Sequence, residues 1–317
     1  SRRRRDHCHA SSPDAVIPSE TMSTTILVPI DRSTQSTAGL VYTLVSFPDA
    51  TITAIHVTDT NHDAYATVGS PESSEERIAQ AGERLLEQAT EIASEYGREL
   101  ETVLETGVPH RTIVEYTVEH DIDHVVMGSH GESPIVRPFL GHVSEAVVRR
   151  APVSTTIVPE GQSELLEREL PGRILVPVDG SDQSLAALEY AASQFPEGQI
   201  TIFHAVALPF EYDVDAIDGT YAAQIVDDLT EQGDSILEAA DETIEDGDLA
   251  VETDLTYGEP SRSIVDYAAD NGFDQIIMGS HGRSLPARLI TGSVAETVSR
   301  RSTIPVTLIR GRPSGSA

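Results

Sequence analysis

The chain has 317 residues and a formal net charge of −31 at pH 7, which excludes nucleic acid as an expected partner because a phosphate backbone is bound by clustered cations. Cys8 is the only cysteine, so an intrachain disulfide and a multi-cysteine metal site are excluded as well. No apolar run approaches the roughly 20 residues of a membrane span and no signal segment opens the chain, so we expect a cytoplasmic protein with no membrane partner.

The acidic charge is spread along the whole chain, and the sequence contains no lysine. This combination is typical of a protein adapted to molar salt, where screening removes the self-repulsion of a highly charged surface. An ordinary acidic protein explains the charge but not the missing lysine. We therefore expect a halophilic protein.

The first 21 residues differ from the rest of the chain, since they are rich in arginine and show no apolar periodicity. Met22 then opens Met-Ser-Thr-Thr-Ile-Leu-Val-Pro, which is typical of a natural start. We expect residues 1–21 to be a disordered or misassigned extension, with a nucleic-acid-binding arm as the alternative.

From residue 25 onward, short apolar runs alternate with longer helical patterns, as expected for crossover units in a parallel sheet. The first half predicts strands at 25–30, 51–57, 99–105, 124–127 and 154–158. It predicts helices at 33–46, 74–96, 109–120 and 143–150. Pro109 supports the third helix, because proline is favoured in a first helical turn.

The second half repeats this order. Its predicted strands are 173–178, 199–206, 249–256, 275–278 and 305–309, and its predicted helices are 182–194, a long helix within 227–245, 260–271 and 293–300. A polar segment that ends in Pro171-Gly172 separates the halves. The predicted organisation is a first domain at 22–160, a linker at 161–172, a second domain at 173–311 and a tail at 312–317.

An internal repeat supports this division. Met-Gly-Ser-His-Gly at 127–131 recurs 151 residues later at 278–282, and each copy is preceded by Leu-Val-Pro and an aliphatic residue, ending in Asp31 or Asp179. The sequence thus predicts two tandem α/β domains, each with a doubly wound, five-stranded parallel sheet. Ligands of such sheets bind beyond the carboxyl ends of the strands, at the point where the strand order reverses.

The glycine spacing of the repeat indicates a phosphate site. Each copy has two glycines separated by two residues, and then, after nine intervening residues, a third, Gly141 or Gly292. Glycine allows close backbone approach and positive φ, so that amides can face an anion, and the third glycine begins a helix whose amino terminus favours phosphate. Tight turns without a ligand are the alternative.

Two charged positions accompany the glycines. Asp31 and Asp179 suit hydrogen bonding to ribose hydroxyls, with capping of the following helix as the alternative. Arg283 follows the second glycine of the second copy and could complement a polyphosphate, whereas its counterpart Glu132 would repel one. A solvated surface charge is the alternative for Arg283.

These motifs, in this order, closely resemble the universal stress protein family over nearly the whole chain after Met22. In the second copy the resemblance is carried by Val-Pro-Val-Asp-Gly-Ser at 176–181, Met-Gly-Ser-His-Gly-Arg-Ser at 278–284, Gly-Ser-Val-Ala-Glu at 292–296 and Ile-Pro-Val at 304–306. The lysine-free composition further suggests a haloarchaeal member. The resemblance implies a Rossmann-like fold of the adenine nucleotide alpha hydrolase type, with ATP, ADP or AMP as ligand and Mg²⁺ as an accompanying ion.

The resemblance also implies the site residues. In the second copy they are Pro177, Val178, Asp179, Ala205, Met278, Gly279, Ser280, Gly282, Arg283, Gly292, Ser293 and Val294. The matching first-copy positions are Pro29, Ile30, Asp31, Val57, Met127, Gly128, Gly131, Gly141, His142 and Val143. Because His142 replaces the phosphate-binding hydroxyl and Glu132 replaces Arg283, we expect the first copy to be the weaker ATP site.

The resemblance implies that the last strands of the two copies pair within the chain, and it leaves a homodimer of whole chains open. We expect a nucleotide-binding stress or signalling protein that adjusts its partner contacts through nucleotide occupancy. A slow ATPase in the same crevice and a ligand-free pseudo-dimer are the alternatives. A serine-histidine hydrolase is disfavoured because the adjacent Ser280 and His281 should diverge, and a zinc site at His7 and His9 lacks a full ligand set.

Overall fold

The computed structural model describes residues 24–59, 71–131, 140–159, 170, 172–208, 221–244, 250–281 and 291–310. The predicted extension 1–21, the tail 312–317 and all of the linker except residues 170 and 172 lie outside these described residues.

Within the described residues, the two copies have the same order of elements. The first copy contains β1 (Thr25–Pro29), α1 (Thr34–Ser46), β2 (Thr51–Thr58), α2 (Pro71–Glu95), β3 (Glu101–Thr106), α3 (Pro109–Glu119), β4 (His124–Gly128), α4 (His142–Arg150) and β5 (Ser154–Val158). The second contains β6 (Arg173–Pro177), α5 (Asp182–Gln194), β7 (Gln199–Val206), α6 (Tyr221–Asp241), β8 (Val251–Tyr257), α7 (Pro260–Asp270), β9 (Gln275–Gly279), α8 (Ser293–Arg301) and β10 (Val306–Ile309).

Most predicted elements are confirmed, and two long helices begin earlier than predicted. Helix α6 begins at Tyr221 rather than within 227–245, because Val226, only 7% exposed, already belongs to its buried face. Helix α2 begins at Pro71 rather than at residue 74. Pro71 is the same start signal that predicts α3, because proline is favoured in a first helical turn.

The strands form one sheet of ten, in the order β3-β2-β1-β4-β5-β10-β9-β6-β7-β8. All pairs within each copy are parallel, and the order reverses between β1 and β4 and between β6 and β9. The predicted doubly wound, five-stranded sheets are therefore confirmed. The predicted crevice lies at these two reversal points.

The two halves join through their last strands, as expected. β5 and β10 pair antiparallel with Thr156 opposite Thr307, and the two hydroxyl oxygens are 2.7 Å apart in a fully buried position. Because this pairing is antiparallel, the carboxyl ends of the first copy's strands point to the opposite edge of the sheet from those of the second copy.

Aromatic and polar side chains cross the junction on one face of the sheet. The rings of Phe47 and Phe195, one from each copy, have centroids 5.8 Å apart. Tyr42 donates a hydrogen bond of 2.8 Å to Gln275 Oε1 in the other copy. These contacts merge the cores of the two copies into one buried layer.

The mirror contact uses a histidine in place of the glutamine. His124 Nδ1 lies 3.2 Å from the hydroxyl of Tyr190, and His124 Nε2 lies 2.7 Å from Thr156 Oγ1. Burial lowers the pKa of His124 from 6.5 to about 3, since no carboxylate in the described part of the chain compensates for the lost hydration of the imidazolium. His124 is therefore neutral in the folded protein at physiological pH.

This lowered pKa predicts an acid-sensitive junction. The unfolded chain binds a proton at His124 below pH 6.5, whereas the folded chain does so only near pH 3, so stability is lost as the pH falls through this window, by up to about 1.4 kcal/mol per pH unit. His124→Gln reproduces the residue of the mirror contact and removes the titration. Thermal unfolding of both proteins should show a steeper loss of stability in the wild type between pH 6.5 and pH 4. Parallel profiles would contradict the assignment.

Candidate nucleotide-binding site

A cavity of about 300 Å³ opens at the reversal point of the second copy, where β6 and β9 end. Nine of the residues predicted for the second-copy site line it: Pro177, Val178, Asp179, Ala205, Met278, Gly279, Gly292, Ser293 and Val294. Ser280 is fully buried and is not among the lining residues. Gly282 and Arg283 lie outside the described residues.

Eight further residues line the same cavity and were not predicted: Ser181, Ser184, Phe203, His204, Pro260, Ile264, His281 and Ala295. Several of them come from α7 and from the first turn of α5, which lie outside the sequence motifs. A signal for His204 was present, because a histidine occurs at the same place near the end of the second strand in both copies, at His56 and His204.

Asp179 is fixed by the turn that follows β6. Its Oδ1 accepts hydrogen bonds from the backbone amide of Ser181 at 3.0 Å and from the Ser181 hydroxyl at 2.5 Å. Ser181 in turn caps α5 by accepting from the amide of Ser184. Asp31 makes the same two contacts with Ser33, which caps α1. In each copy the serine caps the helix, and the aspartate holds that serine in place.

The first motif glycine is required by close packing. A Cβ on Gly279 would lie 2.9 Å from backbone atoms of Gln183, in the first turn of α5, and a Cβ on Gly128 would lie 2.6 Å from the backbone of Gln35 in α1. This contact brings the aspartate turn against the end of the central strand. The expectation of positive φ is wrong for the described motif glycines, since none of them adopts it.

The second glycine of the first copy faces the aspartate. A Cβ on Gly131 would lie 2.6 Å from Asp31 Oδ2, so a larger residue there would require the Asp31 carboxylate to shift. Because β1 and β4 are hydrogen-bonded neighbours, the aspartate and the glycine loop share one crevice, as predicted.

The amino terminus of α8 is open toward the cavity. The amide of its N-cap, Gly292, donates to Ser280 O at 2.8 Å, and no side chain among the described residues caps the helix. By contrast, Ser181 caps α5 and Glu259 caps α7. The first amides of a helix and its dipole favour an anion, so this end of the cavity suits a phosphate group.

Ser280 and His281 do converge, so the expectation that they diverge is wrong. Ser280 Oγ lies 2.9 Å from His281 Nδ1, and Ser129 Oγ lies 3.0 Å from His130 Nδ1. Since Ser280 is fully buried, its hydroxyl is inaccessible to a substrate. Burial, followed by the positive charge of Arg310, lowers the pKa of His281, which keeps the imidazole neutral.

His204 is held in one orientation. Its Nδ1 donates a hydrogen bond of 2.7 Å to the carbonyl of Val178, and His56 makes the same contact with Ile30. A carbonyl only accepts, so Nδ1 carries a proton in this contact. The contact ties the second strand of each copy to the segment that precedes the aspartate.

The first-copy residues occupy matching places. Pro29 ends β1 and is followed by Ile30 and Asp31; Val57 lies in β2; Met127 and Gly128 end β4; Gly141 is the N-cap of α4, whose first turn contains His142 and Val143.

Basic groups lie close together near the first-copy site. Burial and then the charges of Arg150, Arg111 and His142 lower the pKa of His110. Glu132 lies outside the described residues.

The described part of the chain contains no cluster of three or more histidine, cysteine or acidic side chains that could hold a metal ion. Within the same residues, no helix is both long and apolar enough to cross a bilayer.

Comparison with known proteins identifies the family. The sequence model of the Universal stress protein family matches residues 22–159 and 171–310, so the chain belongs to this family and contains two tandem copies of its domain. Universal stress protein YxiE of Bacillus subtilis is 31% identical over 145 residues, which span 44% of this chain and 98% of that protein.

Two further relatives span both copies. Universal stress protein Rv2005c of Mycobacterium tuberculosis is 25% identical over 298 residues, covering 90% of this chain and 96% of that protein. The crystal structure of a universal stress protein from Archaeoglobus fulgidus has a TM-score of 0.66 at 24% identity and covers 92% of this chain and 100% of its own. At that identity the structural likeness shows the fold alone.

The packing at the first motif glycine is testable. Gly128→Ala forces a Cβ against the backbone of α1, and we expect it to lower the free energy of unfolding by about 1–3 kcal/mol. Gly39→Ala is the matched control, because its Cβ would make ordinary contacts of 3.4 Å and alanine favours the interior of α1. Denaturant unfolding measures both. Equal stability of the two variants would show that Gly128 is not needed for packing.

Proposed function

We propose that this protein binds adenine nucleotides, with ATP bound most tightly in the second copy, and that occupancy adjusts its contacts with partners in a stress response. One observation carries the proposal: the open amino terminus of α8 and the carboxylate of Asp179 line the same cavity. The first suits phosphate and the second suits ribose hydroxyls.

The cavity also has an apolar part suited to a base. Met278, Ala205 and Ile264 line it beside the polar groups. Its volume of about 300 Å³ is within the range of small-molecule sites, roughly 300–1,000 Å³. The residues present therefore fit adenosine with a phosphate chain, on which Mg²⁺ would neutralise charge. The amides of α8 would orient the phosphates, and Asp179 would orient the ribose.

Binding is favoured over hydrolysis. Asp179 is the only carboxylate among the described residues that line the cavity, and its Oδ1 already accepts two hydrogen bonds from Ser181. A hydrolase would have to position both a metal ion and a water molecule against the phosphate chain. A slow ATPase is the alternative function, and the phosphate-release experiment below distinguishes it from binding.

The difference between the copies supports unequal binding. Ser293 occupies the first turn of α8, whereas His142 occupies that of α4. The sequence adds Arg283 in the second copy against Glu132 in the first. A hydroxyl and a guanidinium both donate to phosphate, whereas a carboxylate repels it.

The proposal predicts that freshly purified protein releases an adenine nucleotide detectable by mass spectrometry. Calorimetry in molar KCl should show one tight ATP site per chain, and Gly292→Val should abolish it because Gly292 lines the cavity at the N-cap of α8, where a branched side chain would crowd the phosphate end. Two equal ATP sites, or no ATP binding, would refute the proposal. Robust phosphate release that Gly292→Val eliminates would favour the ATPase instead.

The first copy should gain affinity when its two departures are reversed. In the double variant with Glu132→Arg and His142→Ser, we expect ATP affinity at the first site to rise by about tenfold or more, because a repulsive charge becomes attractive. Calorimetric stoichiometry should move from one toward two tight sites per chain. The control is the single variant His142→Ser, which should give a smaller gain in ATP affinity at the first site. An unchanged stoichiometry and affinity would show that the two departures are not the cause of the asymmetry.

A further inference from the structure

The carboxyl end of α4, in the first copy, is bound by side chains of the second copy. Val148 O accepts a hydrogen bond of 3.0 Å from Thr291 Oγ1 and one of 2.7 Å from Arg310 Nη2. The same Arg310 nitrogen lies 3.3 Å from Thr291 Oγ1, so the three groups form one cluster. Thr291 is buried, with 4% of its surface exposed.

This carbonyl needs an outside donor. The last carbonyls of a helix have no amide partner within it, and the amide of Ala151 bonds to Val147 rather than to Val148. The second copy therefore supplies what the helix end lacks. Among the described residues no carboxylate forms an ion pair with Arg310, so carbonyl and hydroxyl oxygens hold its side chain.

Both donors adjoin the second-copy cavity. Thr291 immediately precedes Gly292, the N-cap of α8. Arg310 follows β10, whose last residue, Ile309, pairs with Gly279 at the end of β9. Arg310 is also close enough to His281 to affect its ionisation. Fixing these two side chains therefore fixes the backbone on either side of the phosphate end.

Among its described residues, the first copy has no equivalent arrangement. The residues at the positions of Thr291 and Arg310 are Leu140 and Pro159, and neither has a side-chain donor. Leu140 is buried, with 6% exposed, and belongs to the apolar core. The anchoring is therefore specific to the second copy.

We propose that Thr291 and Arg310 are positioning residues of the second-copy nucleotide site, and that they hold Gly292 and the first turn of α8 in phosphate-binding geometry by bonding to Val148 of the first copy. This inference rests on the proposed function. It makes the second site dependent on the first domain, which supplies the anchoring carbonyl, although all the described residues that line the cavity belong to the second copy. It also adds a second cause, besides the phosphate contacts themselves, for unequal affinity of the two copies.

The test compares ATP with adenosine, because a misplaced α8 weakens only phosphate contacts. Calorimetry is performed on the full chain in about 2 M KCl, where the Debye length is below about 3 Å and a direct field of Arg310 on the phosphates is screened. The variants are Thr291→Val, Arg310→Met, their combination and Thr291→Ser. Thr291→Val keeps the side-chain shape and leaves Arg310 on the Val148 carbonyl, so it avoids orphaning a buried acceptor.

We expect the combined variant to lose about tenfold or more in ATP affinity and Thr291→Val to lose less. Adenosine affinity should stay within about twofold for every variant, and Thr291→Ser, which keeps the hydroxyl, should remain near wild type. Leu140→Val, at the mirror position, is the matched control and should leave both affinities of the second site unchanged.

Unchanged ATP affinity in the combined variant, or an equal loss for ATP and adenosine, would overturn the inference while leaving the proposed function intact. Equal affinities of the wild-type chain for adenosine and ATP would also overturn the inference. The phosphate contacts would then add no binding free energy, and positioning them would have no effect. A wild-type chain that binds no ATP would remove the proposed function itself, and the inference with it.

Discussion

The antiparallel pairing of β5 with β10 is the constraint on which the rest of the structure depends. It covers the edge strand of each copy with the edge strand of the other, in a buried position where Thr156 and Thr307 share a hydrogen bond. It turns two five-stranded sheets into one of ten strands with a common core. Because the halves run in opposite directions, it also brings the amino end of β5, and with it the carboxyl end of α4, to the edge where the second-copy cavity opens.

Local signals were enough to predict the elements and their order. Apolar runs of strand length, helical periodicity and the repeated glycine motif predicted two doubly wound domains, and the chain's strand order confirms them. The meeting of Asp31 with the glycine loop was also predictable, because in such a sheet the first and fourth strands are neighbours and their carboxyl ends share an edge. Nine of the twelve second-copy residues that the family resemblance implies line one cavity.

What the sequence could not predict depends on geometry over long distances or on fine backbone detail. Tyr190 meets His124, and Val148 meets Thr291, only because separate copies dock, and no pattern along the chain records the docking. The sequence predicts positive φ and close ligand approach at the motif glycines, whereas Gly128 and Gly279 have no positive φ and are required by close packing against the first turns of α1 and α5. The amide of Ser280 donates to the carbonyl of Ile309 in the neighbouring strand, so Ser280 is buried. Its hydroxyl therefore lies against His281, contrary to the expectation from sequence.

Because both halves belong to one chain, the two matching contacts at the junction need not be made by identical residues. In a dimer of identical subunits, every substitution occurs in both subunits. A residue at the interface must therefore fit both of the symmetry-related contacts. Here Tyr42 meets a glutamine while Tyr190 meets a histidine, although the two tyrosines hold the same place in their copies. Duplication within one gene thus lets each half change independently while the other preserves the pairing, which is the condition for one ancestral site to become two unlike ones.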